Sequence, residues 1–226
     1  MFVNGDDVID AGDGDDFVSL IEGNDSVKLG AGNDILQNQY ANATIQAGAG
    51  DDDISAIAGN NIVFGEDGND KIALGFGDDT VDGGLGSDNI DAGDGANKVD
   101  GGAGDDLILS GTGDDEIKGG AGGDVIQDQD GNNILDGGEG DDYIIAGEGS
   151  DTILTGSGNN DDVFAGGGND IIISQATNAN LIGASGNDIY KIEKLTGNIV
   201  IEDSGNSSDI DSIEFFDKKL ANLKLS

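Results

Sequence analysis

The stretch GGAGDDLIL at residues 101–109 recurs, with substitutions, every nine residues along most of the chain. Flanking copies read SGTGDDEIK, GGAGGDVIQ and GGEGDDYII. With the aspartate of GGAGDD numbered as position six, the register starts at Phe2 and holds for about 22 copies. Position eight carries a single aliphatic residue, as in Val81, Ile90, Val99, Ile108 and Ile117. Each copy therefore splits into a six-residue turn and a three-residue strand. Glycines at positions two and four can take the positive φ angles that other residues avoid. The position-eight side chain points inward and its two neighbours point out. A three-residue strand covers only about 10 Å, so the chain must turn again at once. Two turns and two strands make one coil of about 18 residues, and the expected fold is all-β: a right-handed parallel β-roll solenoid. About eleven coils stacked roughly 4.8 Å apart give a rod of roughly 50 Å.

The repeats are assigned to residues 1–191. Beyond Lys191 the pattern dissolves, and 192–226 is expected to be a C-terminal cap. Alternation at 199–201 and 213–215, followed by Phe216, Leu220 and Leu223, predicts strands and a short helix there.

Composition narrows the partners. Acidic residues number 47 against nine basic ones, for a formal net charge of −38. Such a chain repels nucleic-acid phosphate and anionic membrane surfaces. No apolar run approaches the roughly 20 residues of a membrane span, and residues 1–10 have no signal-peptide core. With no cysteine there is no disulfide framework and no zinc–thiolate site. Without histidine or cysteine there is no Ser-His-Asp triad, no cysteine nucleophile and no HExxH site. No catalytic residue is assigned, and the chain is not expected to be an enzyme. Its paired carboxylates lie in repeated turns, where metal binding already accounts for them.

One buried aliphatic per nine residues returns less than ordering those residues costs. Equivalent aspartates in successive coils, about 5 Å apart, add like-charge repulsion. A divalent cation between coils reverses the sign of that repulsion and recruits turn carbonyls. Calcium, with six to eight oxygen ligands, suits such a turn better than magnesium with its strict octahedron. Folding and binding are then one equilibrium.

GGLGSDNID, GGAGGDVIQ and GGEGDDYII match every defined position of G-G-x-G-x-D-x-U-x. The chain thus resembles the RTX (repeats-in-toxin, haemolysin-type) calcium-binding proteins. The resemblance implies a β-roll loaded with several Ca2+ ions in a bacterial protein exported by a type I pathway. There the chain crosses unfolded and folds outside the cell, where calcium is abundant. The chain also reads as a portion of a longer exported protein.

Alternate copies fall on opposite edges of the roll. The first edge carries Asp16, Asp34, Asp52, Asp70, Asp88, Asp106, Asp124 and Asp142 at position six without a gap. The second carries Asp7, Asp25, Ala43, Asn61, Asp79, Asn97, Asp115, Asn133, Asp151, Asp170 and Asp188. A continuous row of ions is expected on the first edge and fewer or weaker ions on the second, where Asn97 and Asn133 join the aspartates as candidate ligands. The turn glycines Gly84, Gly86, Gly102, Gly104, Gly120, Gly122, Gly138 and Gly140 are expected to shape the turns or to offer carbonyl ligands. Residues 38–46 and 174–182 lack both glycine and aspartate at the repeat positions and are expected to pass without a ligand turn. In the ten-residue copy 155–164 the ligand place falls to Asp161 or Asp162, with Asp162 favoured. A second function is a recognition surface, as part of an adhesin or beside a hydrolytic or polysaccharide-active enzyme. Ice binding fails on the sequence, because Thr112 is the only position-three threonine through residue 157.

Overall fold

The computed structural model describes residues 2–194, 197–205 and 209–216, with side chains from Gly5 onward. Its 24 strands, counted along the chain, alternate between two sheets. Odd strands form one 12-stranded sheet and even strands the other, and each strand pairs in parallel with the strands two places before and after it. The pairing is in register: Val81 faces Val99, Ile90 faces Ile108, and Ile108 faces Ile126. This is a parallel β-solenoid of about eleven turns, and no helix occurs among the described residues. Among the described residues there is accordingly no helix long and apolar enough to cross a membrane.

Strand alternation explains what is inside. Side chains two apart share a face, so positions six and eight and the next position one all point inward. In the strand Lys98–Ala103, Val99 and Gly101 are buried, with Asn97 just before them. The core is consequently a single file of aliphatics from each sheet, including Ile90, Ile108, Ile126 and Ile144 from one and Val81, Val99, Ile117 and Leu135 from the other. Position-one residues such as Leu20, Leu29, Ala92 and Ala146 flank that file. The same alternation carries the position-six aspartates inside, where Asp88, Asp106 and Asp124 are 2 % exposed or less.

Past Lys191 the coil continues. The strand Ile199–Glu202 adds to one sheet, with Leu181 facing Ile201. The strand Ser212–Phe215 adds to the other, with Tyr190 facing Ile213. The expected strands are present, and they extend the two sheets. The expected helix falls largely outside the described residues, which include Phe216 but not Leu220 or Leu223.

Candidate metal centre

Two side-chain ladders run along each edge of the roll. At position six, the backbone N–H donates to the side-chain Oδ1 one coil further on wherever that residue is aspartate or asparagine. On the first edge these bonds link Asp16 to Asp34, Asp52, Asp70, Asp88, Asp106, Asp124 and Asp142 in turn, at 2.7–2.9 Å. At position five the direction reverses. The Asn33 N–H donates back to Asp15 Oδ1, the Asp51 N–H to Asn33 Oδ1, and the Asn69 N–H to Asp51 Oδ1. The DD and ND pairs of the turns thus tie each coil to both of its neighbours.

The position-five groups lie in solvent, whereas each position-six carboxylate keeps a second oxygen inside. Oδ2 of Asp16, Asp34, Asp52, Asp70, Asp88, Asp106, Asp124 and Asp142 is buried without a hydrogen-bond partner. So is Oδ2 of Asp7, Asp25, Asp79, Asp151, Asp170 and Asp188 on the second edge. A buried acceptor left unpaired costs about 1–3 kcal/mol, and more when charged.

The asparagine turns show what these oxygens face. Asn97 Nδ2 donates to Gly93 O at 3.1 Å and Gly95 O at 3.2 Å, the position-two and position-four carbonyls of its own turn. Asn61 Nδ2 donates to Gly59 O at 2.8 Å. Where asparagine becomes aspartate, the donor on that side of the chain becomes a further acceptor. Acceptors converging without a proton call for a cation.

The model of the RTX calcium-binding nonapeptide repeat matches residues 3–36, 46–81, 55–90, 82–117, 118–153 and 155–190. The chain belongs to the RTX calcium-binding repeat family. No curated protein matches it in a sequence search.

Calcium, which the family implies, fits the RTX turns of this chain. At Gly83 a Cβ would lie 2.4 Å from Gly101 O and 2.5 Å from Asp88 Oδ2. At Gly101 it would lie 2.6 Å from both Gly119 O and Asp106 Oδ2, and at Gly119 2.6 Å from Gly137 O and 2.4 Å from Asp124 Oδ2. Such spacings exclude any side chain at these positions, so glycine alone leaves the Asp Oδ2 and the facing carbonyl unobstructed, and an all-oxygen donor set of this kind suits calcium. Glycine at position one leaves this cradle open from Gly65 to Gly137 on the first edge. On the second edge position one is Leu74, Ala92, Ser110, Asp128 and Ala146 over the same length. The two edges therefore differ at position one as well as at position six.

Burial governs the charges. Desolvation pushes the carboxyls of Asp70, Asp106, Asp142 and Asp151 up to about 7, against the lowering effect of the backbone N–H each accepts. Desolvation likewise lifts Asp52, Asp161 and Asp170 to about 6. The exposed position-five groups Asp114 and Asp141 move the other way, held below the usual range by the N–H and amide donors of Asn132 and of Asn160 with Asn159.

Several residues sit differently from the reading of the sequence. In the ten-residue copy the column place belongs to Asp161. Asp161 is 1 % exposed, accepts the Asp142 N–H at 3.2 Å and keeps a buried, unpartnered Oδ2. Asp162 sits at an outward position facing Tyr143. Counting back two from the buried Val163 gives Asp161, so alternation held the signal. The turn at 38–43 is closed by side chains: Asn38 Nδ2 donates to Ala41 O and to Asn61 Oδ1, and Asn38 Oδ1 accepts the Ala41 N–H. Asp128, at an inward position one, was not among the expected ligands. It is buried, its Oδ1 accepts from Asn133 Nδ2 at 2.8 Å, and its Oδ2 has no partner. Burial, then the Asp115 carboxylate beside it, raises its pKa well above the ordinary range. Ser110 Oγ donates to Asp115 Oδ2 in the same pocket.

Proposed function

We propose that this chain is a calcium-dependent structural module of an exported bacterial protein, one that folds and stiffens as Ca2+ fills the first edge. The observation that carries this reading is the unbroken file of buried, unpartnered carboxylate oxygens from Asp16 to Asp142. Asp16, Asp34, Asp52, Asp70, Asp88, Asp106, Asp124 and Asp142 would hold the ions, and Asp161 extends the row. Carbonyls at positions two and four, as at Gly84, Gly86, Gly102, Gly104, Gly120, Gly122, Gly138 and Gly140, would complete them. Bound calcium would supply the positive charge that the column lacks. The second edge contributes fewer sites, because Asn61, Asn97 and Asn133 satisfy their own turn carbonyls by donating an N–H. No residue is given a catalytic role. Export, by a route that keeps the chain unfolded where calcium is scarce, is what the RTX resemblance implies, and coupling of folding to binding is compatible with it.

Circular dichroism during a calcium titration tests the reading. A β-signal that rises with calcium and collapses on chelation is expected. A β-signal unchanged by millimolar calcium and by chelator would overturn it.

A further inference from the structure

The last two strands are separated by a loop that the repeat pattern does not explain. Tyr190 and Ile213 face each other across one coil although they are 23 residues apart, and the preceding coils take 18 to 20. Described residues on this stretch reach the turn that ends in Asp188: the Ile210 N–H donates to Asn187 Oδ1, and Asp209 Oδ2 accepts the Gly186 N–H. Three carboxylate oxygens, one each from Asp188, Asp203 and Asp211, lie within 4.8 Å of one another there. None of the three takes part in an ion pair among the described residues.

A second observation, separate from the clustering, points to a ligand. Asp188 is fully buried, and its Oδ2 has no hydrogen-bond partner. That oxygen looks into the space beside Gly183, where a Cβ would lie 2.3 Å from it and 2.3 Å from the Tyr190 hydroxyl. Tyr190 stands at position eight, where the other coils carry aliphatics, and its hydroxyl donates to Asp203 Oδ2 at 3.2 Å. A phenol in the aliphatic file is thereby explained: it spans from the core to the loop carboxylate. Asp211 is placed by the ladder, its Oδ1 accepting the Asp188 N–H at 3.0 Å. Three acids from three segments, one of them buried with a bare oxygen, require a positive charge that the described side chains around them do not supply.

We propose that Asp188, Asp203 and Asp211 form a separate terminal site for a divalent cation of calcium size, clamping the final coil onto the roll. Its donors are side-chain carboxylates, whereas the repeat sites combine one aspartate per turn with backbone carbonyls. The inference rests on the calcium reading of the chain for the identity of the ion, and its ligand set adds Asp203 and Asp211, from outside the repeats, to the last repeat aspartate, Asp188.

Tyr190 supplies the readout. Terbium, a calcium-sized probe ion, luminesces when a nearby tyrosine is excited, and because Tyr143 directly follows Asp142 of the first edge, every comparison is made in a background carrying Tyr40→Phe and Tyr143→Phe. The whole chain is compared with Asp203→Asn, Asp211→Asn, the double variant and Tyr190→Phe. Both aspartates are exposed, so their amides leave the core unchanged, and circular dichroism in calcium checks this. Tyrosine-excited terbium emission is expected in the parent chain, to fall by more than half in Tyr190→Phe and again in the double variant. Native mass spectrometry in calcium is expected to show one ion fewer in the double variant. Parent emission that Tyr190→Phe leaves intact would overturn the site, and so would full emission and a full ion count in the double variant. Failure of the repeat reading looks different: the parent's β-signal then ignores calcium while the Tyr190-dependent emission persists.

Discussion

The backbone N–H of Asp88 donates to Oδ1 of Asp106, one coil further on, at 2.8 Å. The same side chain thus closes a hydrogen bond with one oxygen and holds the other bare. Asp106→Ala removes both. It strands a buried N–H, at a cost of about 1–3 kcal/mol, and deletes a ligand. Asn97→Ala also strands an N–H, that of Asp79, but takes away no bare oxygen. The calcium midpoint for folding is expected to rise clearly for Asp106→Ala and little for Asn97→Ala. Equal shifts would remove the distinction between the two edges.

Asp106→Asn separates the two jobs of that side chain. The amide keeps the Oδ1 acceptor and, as at Asn97, turns a donor toward the turn carbonyls. In chelator the variant is expected to hold more β-structure than the parent, by about 1–3 kcal/mol for the buried group satisfied. In calcium it is expected to lose that advantage, with one ion fewer by native mass spectrometry. A variant weaker than the parent in chelator would contradict the orphan-oxygen argument.

Protons can stand in for calcium. The carboxyls of Asp70, Asp106, Asp142 and Asp151 rise from 3.8 to about 7 in the fold. The folded chain therefore binds more protons than the unfolded one between those values, and its stability falls as pH rises through them. Calcium-free protein is expected to be more β-structured at pH 5 than at pH 8, by circular dichroism. Saturating calcium is expected to flatten that slope or invert it. Calcium-free protein that gains structure on going from pH 5 to pH 8 would refute the sign.

Gly102 sets the limit on turn substitutions. Its φ is +108°, and a Cβ there would stand 2.1 Å from Gly84 O. Gly102→Ala is expected to cost about 1–3 kcal/mol or more in backbone strain and to break the coil contact locally. It would lower the thermal midpoint in saturating calcium. An unchanged midpoint would show that the turn can move aside.

Periodicity made the coil legible, because nine residues hold one turn and one short strand and little else fits between Asp88 and Asp106. Alternation also held the burial of the acids, since Asp106 and Ile108 lie two apart on one face. Position one was harder to read: Gly101, Ala92 and Asp128 share an inward place that follows only when the alternation is carried past position eight into the next copy. Asp162 was favoured over Asp161 because an added residue in 155–164 blurs the count unless it is anchored on Val163. Asp203 and Asp211 lay beyond the repeat, and their approach to Asp188 depends on how a non-repeating loop folds back.

The register also constrains how such a chain can change length. Through the regular part of the roll a coil repeats after two nonapeptides, with Asp88 stacked on Asp106 and Asn97 on Asp115. Loss or gain of 18 residues shortens or lengthens the rod by about 4.8 Å and leaves both edges continuous. Loss or gain of nine hands every later turn to the opposite edge, so that the file of Asp106, Asp124 and Asp142 would continue from Asn97. Length is therefore a parity-restricted ruler: the rod can be cut or extended in whole coils, and a half step scrambles its charge.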